Sequence, residues 1–206
     1  MNVLKLISRI LSGVFSPMLM PTYGMIISLS ATYMALASIS LGSKLAVTAI
    51  IFGLTAFLPG AVIFLLMKLG KVSDFGLRER SQRMVPLAVA AVTYIAAGLY
   101  LMKVNSPVWM SDFMFGATAA LITVLVVSFR WKISGHATGM GGLCAFLFML
   151  YYKHFMITGS TALLVAAVVL AGAVCTSRLI LERHTLAQVV AGFFNGALWL
   201  TLFELI

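Results

Sequence analysis

Ser177-Arg178-Leu179-Ile180-Leu181-Glu182-Arg183-His184-Thr185-Leu186-Ala187-Gln188 sets two arginines, a glutamate, a histidine and a glutamine between two apolar runs. A charged side chain deep in a bilayer costs roughly 2.5–3.5 kcal/mol on insertion scales, so such groups sit at an interface or line a polar cavity. Arg178 and His184 are six residues apart, about 240° around an ideal helix. The spacing therefore predicts a turn between them, with Arg178 closing one membrane helix and His184 opening the next. Gln188 follows four residues later on the face of His184. There its amide oxygen can accept from one imidazole nitrogen and aim the other outward. The same residues also fit a basic helix end snorkelling into headgroups, with His184 an incidental cap.

Two more polar clusters stand out. Lys68 to Arg83 breaks the apolar pattern with Lys68, Lys71, Asp74, Arg78, Glu79, Arg80 and Arg83, and Ser134-Gly135-His136 precedes another apolar run. Together the clusters suit a phosphoryl group. Arginines and a lysine supply fixed charge and forked donors for the equatorial oxygens of its transition state. Of two histidines, one attacks phosphorus and the other, protonated, gives the leaving oxygen its proton. Ser134 and Gly135 offer a hydroxyl and backbone N–H groups at a helix start, where the dipole favours an anion. This chemistry calls for no metal and no other cofactor. The three histidines lack the acidic companions and the i, i+4 pairing of a metal cage.

Composition sets the elements that hold these clusters. The 206 residues are 62% hydrophobic and 9% charged, with a mean hydropathy of +1.11, whereas an ordinary soluble domain carries about 25% charged residues. An all-α polytopic membrane bundle is expected, as a single domain over 1–206. The net charge of +9 gathers beside apolar spans, which points to anionic headgroups or phosphates and not to nucleic acid. Cys144 and Cys175 lie inside apolar runs without CxxC spacing and read as core residues. The start Met1-Asn2-Val3-Leu4-Lys5 shows no small-residue cleavage site, so no cleaved signal peptide is expected.

Along the chain, residues 1–20 place Lys5 and Arg9 among Leu4, Leu6, Ile7, Ile10 and Leu11, an amphipathic pattern for an interfacial helix that Pro17 and Pro21 end. Apolar runs then follow over about 22–41, 45–67, 85–102, 112–129, 137–152, 161–176 and 186–206. Six or seven spans are expected, because a short run such as the fifth can stop inside the bundle. Pro59 should kink the second. Two spans separate the Lys68–Arg83 loop from Ser134-Gly135-His136, and two more separate that triplet from Arg178–His184. Even numbers return a chain to the same side, so all three clusters open onto one membrane face. The glycines from Gly135 to Gly142 and the Gly192/Gly196 pair read as close helix contacts.

In this order the clusters resemble the three motifs of the type 2 phosphatidic acid phosphatase (PAP2) superfamily, KxxxxxxRP, PSGH and SRxxxxxHxxxD. The resemblance covers roughly Lys71 to Gly192, within a motif-bearing region of 68–192. Lys71 and Arg78 keep the first spacing, but Glu79 stands where the proline belongs, and Arg80, Gln82, Arg83 and Pro86 offer a second alignment. Ile133 replaces the proline of the second motif. Gln188 replaces the aspartate that orients the nucleophilic histidine and stabilises its charge. In the serine-protease triad an aspartate-to-asparagine change costs about 10⁴ in turnover. A glutamine can still orient an imidazole, and Glu182 can supply charge if the turn folds it back, or else pair with Arg178 at i, i+4.

The resemblance implies a metal-independent phosphatase that hydrolyses a phosphate monoester or diphosphate on a membrane lipid through a phosphohistidine. His184 would be the nucleophile, His136 the general acid and Gln188 the orienting residue. Arg178, Lys71, Arg78, Arg80, Arg83, Ser134 and Gly135 would hold the phosphoryl group. A lipid phosphate and the bilayer are then the partners, with oligomeric state left open. The candidate substrates are polyprenyl diphosphate, phosphatidate, phosphatidylglycerophosphate and lipid A. A rival reading is a lipid-phosphate binder or transporter that kept the anion site and lost the charge relay. A vanadate-using, haloperoxidase-like pocket is a third, though those relatives are usually soluble. On this topology 11 of the 14 Lys and Arg share the site face, and setting aside five phosphate ligands leaves six against three. The positive-inside rule puts that face in the cytoplasm, while the resemblance implies the periplasmic face of a bacterial inner membrane.

Overall fold

Hydrocarbon offers no water to satisfy backbone N–H and C=O groups, so an apolar chain resolves into helices that satisfy their own. The computed structural model describes residues 3–74, 76–77, 79, 81–157 and 160–205. Its α-helices are α1 (Val3–Val14), α2 (Met20–Ala31), α3 (Leu41–Phe52), α4 (Leu58–Lys68), α5 (Met84–Lys103), α6 (Val108–Ser128), α7 (Gly135–Tyr152), α8 (Ser160–Ile180) and α9 (Leu186–Leu205). Six stretches among the described residues are long and apolar enough to cross a membrane: Val3–Ala31, Leu41–Lys68, Ser81–Lys103, Val108–Ser128, Thr161–Ile180 and Leu186–Leu205. The protein is an all-α polytopic bundle.

The expected fifth span, α7, is not among the six. Its first turns carry His136 and the glycines Gly135, Gly139, Gly141 and Gly142, which dilute its apolar character. Neighbouring helices enclose α7 and bury most of its side chains, so packing rather than lipid dictates its composition. Glycine does that packing. A Cβ on Gly141 would overlap the Phe193 carbonyl and one on Gly196 the Thr138 carbonyl, while on Gly192 it would lie 2.5 Å from the Ser134 carbonyl. The backbones of α7 and α9 therefore touch, and the relative height of their N-termini is fixed.

The prolines act as punctuation, with one change from expectation. Pro17 opens a 3₁₀ turn over Pro17–Leu19 that separates α1 from α2, but Pro21 sits in the first turn of α2 instead of ending a helix. Pro59 has no N–H and its ring displaces the carbonyl four residues back, that of Thr55. The ladder widens there into a π-turn, Gly53–Phe57, joining α3 to α4.

The turn expected between Arg178 and His184 spans residues 181–185. Glu182 N–H donates to Leu179 O at 2.9 Å and Arg183 N–H to Arg178 O at 3.1 Å, with Glu182 in the left-handed region at φ 53°. This is a Schellman stop. His154, which sequence gave no role, takes the same left-handed position after α7, at φ 55°. Near it Lys153 Nζ pairs with buried Glu204 Oε2 at 3.3 Å, tying the end of α9 to the turn after α7. Tyr33, Trp109 and Phe155 stack beside that turn.

Candidate active site

The segment Lys132-Ile133-Ser134 joins the three polar clusters through its backbone. Arg83 Nη1 donates to Ile133 O at 3.4 Å, His184 Nδ1 to Lys132 O at 3.1 Å, and Ser134 N–H to Gln188 O at 3.2 Å. Arg83 also donates from Nε to Leu77 O at 2.8 Å, and Leu77 packs with Ile63 and Val72, which anchors the loop after α4. Arg178 comes from the last turn of α8. The structure thus brings together Arg83, Ser134, Gly135, His136, Arg178, His184 and Gln188 at one end of the bundle.

Each histidine has one ring nitrogen committed. A carbonyl oxygen only accepts, so the nitrogen facing it carries the proton. In His184 that nitrogen is Nδ1, shared between Lys132 O and Gln188 Oε1 at 3.2 Å, which leaves Nε2 as the basic atom. In His136 it is Nε2, which faces Ser12 O at 3.0 Å, leaving Nδ1. Gln188 cannot present its amide the other way. Its Oε1 accepts from Thr185 N–H at 3.2 Å, while Thr185 Oγ1 accepts from Gln188 N–H at 3.4 Å. This reciprocal capping box starts α9 and turns the same oxygen toward His184.

The electrostatics are lopsided. Arg83 is 8% exposed, Arg178 7% and His184 8%. Buried Arg178 Nε has no hydrogen-bond partner, and neither arginine is paired with a carboxylate among the described residues. Two desolvated guanidiniums without a counter-ion are costly and call for an anion. Burial first, then the charges of Arg83 and Arg178, hold the His184 imidazole down at about 4, although its bonds to Gln188 and Lys132 pull the other way. Among the described residues no three His, Cys, Asp or Glu are placed to hold a metal ion.

Other expected residues take different places. Ser134 is fully buried, and its Oγ accepts from Ala137 N–H at 3.4 Å as the N-cap of α7. Gly135 and His136, at the first two positions, keep N–H groups that no helix carbonyl can reach. Lys71 is exposed, and its backbone N–H closes the end of α4 on Leu66 O at 2.9 Å. Arg78 and Arg80 lie outside the described residues. Glu182 is exposed, and no ion pair joins it to Arg178 among the described residues. Sequence reading missed Ser12, whose contribution is a backbone carbonyl with no side-chain signature. It also missed the Thr185-x-x-Gln188 capping box, which the sequence does display.

The six apolar helices point to an integral membrane protein, with a cluster of buried arginines and histidines at one end of its bundle. The family model of the PAP2 superfamily matches residues 127–205, from the end of α6 through α9. That match suggests phosphatase-type chemistry in general terms. Arg83 and Ser12 lie outside the matched residues. No curated protein and no solved structure matches the chain.

Proposed function

We propose that this protein is a metal-independent lipid-phosphate phosphatase that works through a phosphohistidine at His184. One observation carries the reading: two buried, uncompensated guanidiniums, Arg83 and Arg178, flank two histidines whose ring tautomers are set by carbonyls. His184 Nε2 attacks phosphorus while the leaving lipid oxygen takes a proton from Nδ1 of His136, which burial and the charge of Arg178 hold neutral in the empty site and which takes up that proton when the anionic substrate binds. The P–O bond to the lipid breaks as the N–P bond forms. Water then attacks the phosphohistidine, His136 Nδ1 takes its proton, and inorganic phosphate departs. Arg83, Arg178 and the Gly135 N–H hold the oxygens throughout. Lys71, Arg78 and Arg80, in the segment between α4 and α5, complete the proposed set of phosphate-holding cations by their charge.

The lipid character of the substrate is inferred from a site at one end of a bundle of helices long and apolar enough to cross a membrane. The reading places the protein in a bacterial inner membrane with the site facing the periplasm. Gln188 keeps a second reading in play, a lipid-phosphate binder or transporter, because an amide cannot neutralise an imidazolium. Purified protein in detergent, given a panel of lipid phosphates, decides. Phosphate release that His184→Ala abolishes is expected; tight binding without release would establish the second reading.

A further inference from the structure

A cavity of about 100 Å³ lies beside the site and reaches the buried core. The lining residues nearest the site are Gly135, Pro17 and Leu77, which we take as its mouth. Gly135 opens α7 immediately before His136, and the Leu77 carbonyl is the one that holds Arg83 Nε. From Gly135 the lining follows one face of α7 through Thr138, Gly139 and Gly142 to Leu143. Eight residues at 1.5 Å each make that path about 12 Å deep. The wall on α5 follows Leu87, Ala90 and Tyr94, and that on α6 descends to Phe113. Phe113 is a fixed floor: its ring sits against Gly24 and, at 4.1 Å between centroids, against Phe146. Tyr94 Oη donates to Pro17 O at 3.4 Å and closes the wall toward the N-terminal segment.

We infer that this cavity seats one hydrocarbon chain of the substrate, so that a single-file chain beside the headgroup enters the protein rather than remaining in the bilayer. The inference rests on the lipid-phosphate reading and deepens it. Cationic groups at the mouth and an apolar bore behind them match the two ends of an amphiphile. The bore's lining is almost free of polar atoms, so water gains nothing there, and a methylene chain would restore the dispersion contacts that an empty slot forgoes. Ala90 and Ala120, both buried small residues in the wall, then determine which chains fit.

Photo-crosslinking the full-length parent protein tests this without relying on turnover. The probe is a long-chain alkyl phosphonate, which cannot be hydrolysed, with a diazirine part-way along its chain. Adducts on the bore, at Ala90, Ala120 or Leu143, are expected. Adducts confined to outward-facing positions such as Val165 and Val168 of α8 would overturn the seat. In parallel, Ala90→Leu should lower kcat/KM for a long-chain lipid phosphate about tenfold, yet leave a short, water-soluble phosphate monoester within about twofold. An equal loss on both substrates, or none on either, would count against the seat. Bore adducts in a protein that releases no phosphate would keep the seat and sink the phosphatase reading; phosphate release without bore adducts would do the reverse.

Discussion

Gln188 Oε1 lies 3.2 Å from His184 Nδ1 and accepts its proton while also capping α9. Orientation and charge, which one aspartate supplies in the family motif, are thereby separated. The Lys132 carbonyl at 3.1 Å is a second acceptor for the same proton, so losing the amide does not free the ring. Gln188→Ala should lower kcat about 10- to 100-fold, well short of the roughly 10⁴ seen when a triad loses its tautomer control. Gln188→Glu keeps the reach and adds charge, and it should raise both turnover and the His184 pKa. Steady-state kinetics on the two variants check this. Parent-like rates in both would remove Gln188 from the mechanism.

Arg178 carries a different burden in the proposed mechanism, where it faces the developing charge, and its buried Nε has no partner. Arg178→Ala should cost about 10²–10³ in kcat, the size found for a lost transition-state donor. Arg178→Lys should recover little, since an ammonium lacks the fork. Turnover should persist in a chelator, and vanadate should inhibit as a trigonal-bipyramidal mimic. Activity lost to a chelator and restored by Mg²⁺ would replace this mechanism with a metal-dependent one.

Acid should loosen the fold. The His184 imidazole titrates at about 4 in the folded protein against 6.5 for the free group. The unfolded chain therefore takes up this proton first as pH falls. The contribution to stability is complete above about pH 6.5 and declines toward pH 4. Thermal unfolding in detergent at about pH 7 and about pH 5 should show a drop, and His184→Asn should flatten the slope. An unchanged slope in that variant would assign the acid sensitivity elsewhere.

The sequence displayed the polar clusters and the helical fold class better than the packing that brings the clusters together. Arg178, His184 and the Ser134–His136 triplet were legible because charge in an apolar chain is conspicuous, and counting spans brought them to one face. The seventh helix was legible only as an apolar run. Its burial, which excuses its glycines and histidine from facing lipid, depends on neighbours far away in the chain. Ser12 was illegible in principle, since any residue there presents the same carbonyl. Ser134 was read as a phosphate ligand, although its hydroxyl also suits an N-cap, and position relative to the helix decides between those uses.

Helix contact supplies a sharper test of how the site is held. A methyl on Gly196 would overlap the Thr138 carbonyl, whereas Gly172 on α8 has nothing within 4 Å of the same addition. Gly196→Ala should force α9 away from α7, destabilise by about 1–3 kcal/mol and reduce activity by separating His184 from His136. Gly172→Ala should match the parent in both respects. Thermal shift and turnover measured on the pair give the answer, and equal behaviour of the two would mean the α7–α9 contact does not set the site.

Orientation is the last question, and two physical arguments oppose each other. On the topology expected from sequence, eleven of the 14 Lys and Arg fall on the site face, which favours the cytoplasm under the positive-inside rule. Arg83 and Arg178, however, are buried in the site, and residues retained for chemistry report poorly on insertion. The proposed periplasmic site makes a direct forecast for α5. Ser81 and Asn105 are both exposed and lie beyond opposite ends of that 20-residue helix, about 30 Å in length. Single cysteines at these positions, with Cys144 and Cys175 replaced, should label oppositely with a membrane-impermeant thiol reagent in intact cells. Ser81→Cys is expected to react and Asn105→Cys to be protected until the cells are opened. The reverse pattern would turn the site to the cytoplasm and leave its chemistry intact; labelling of both from outside would break the topology on which the convergence of the three clusters depends.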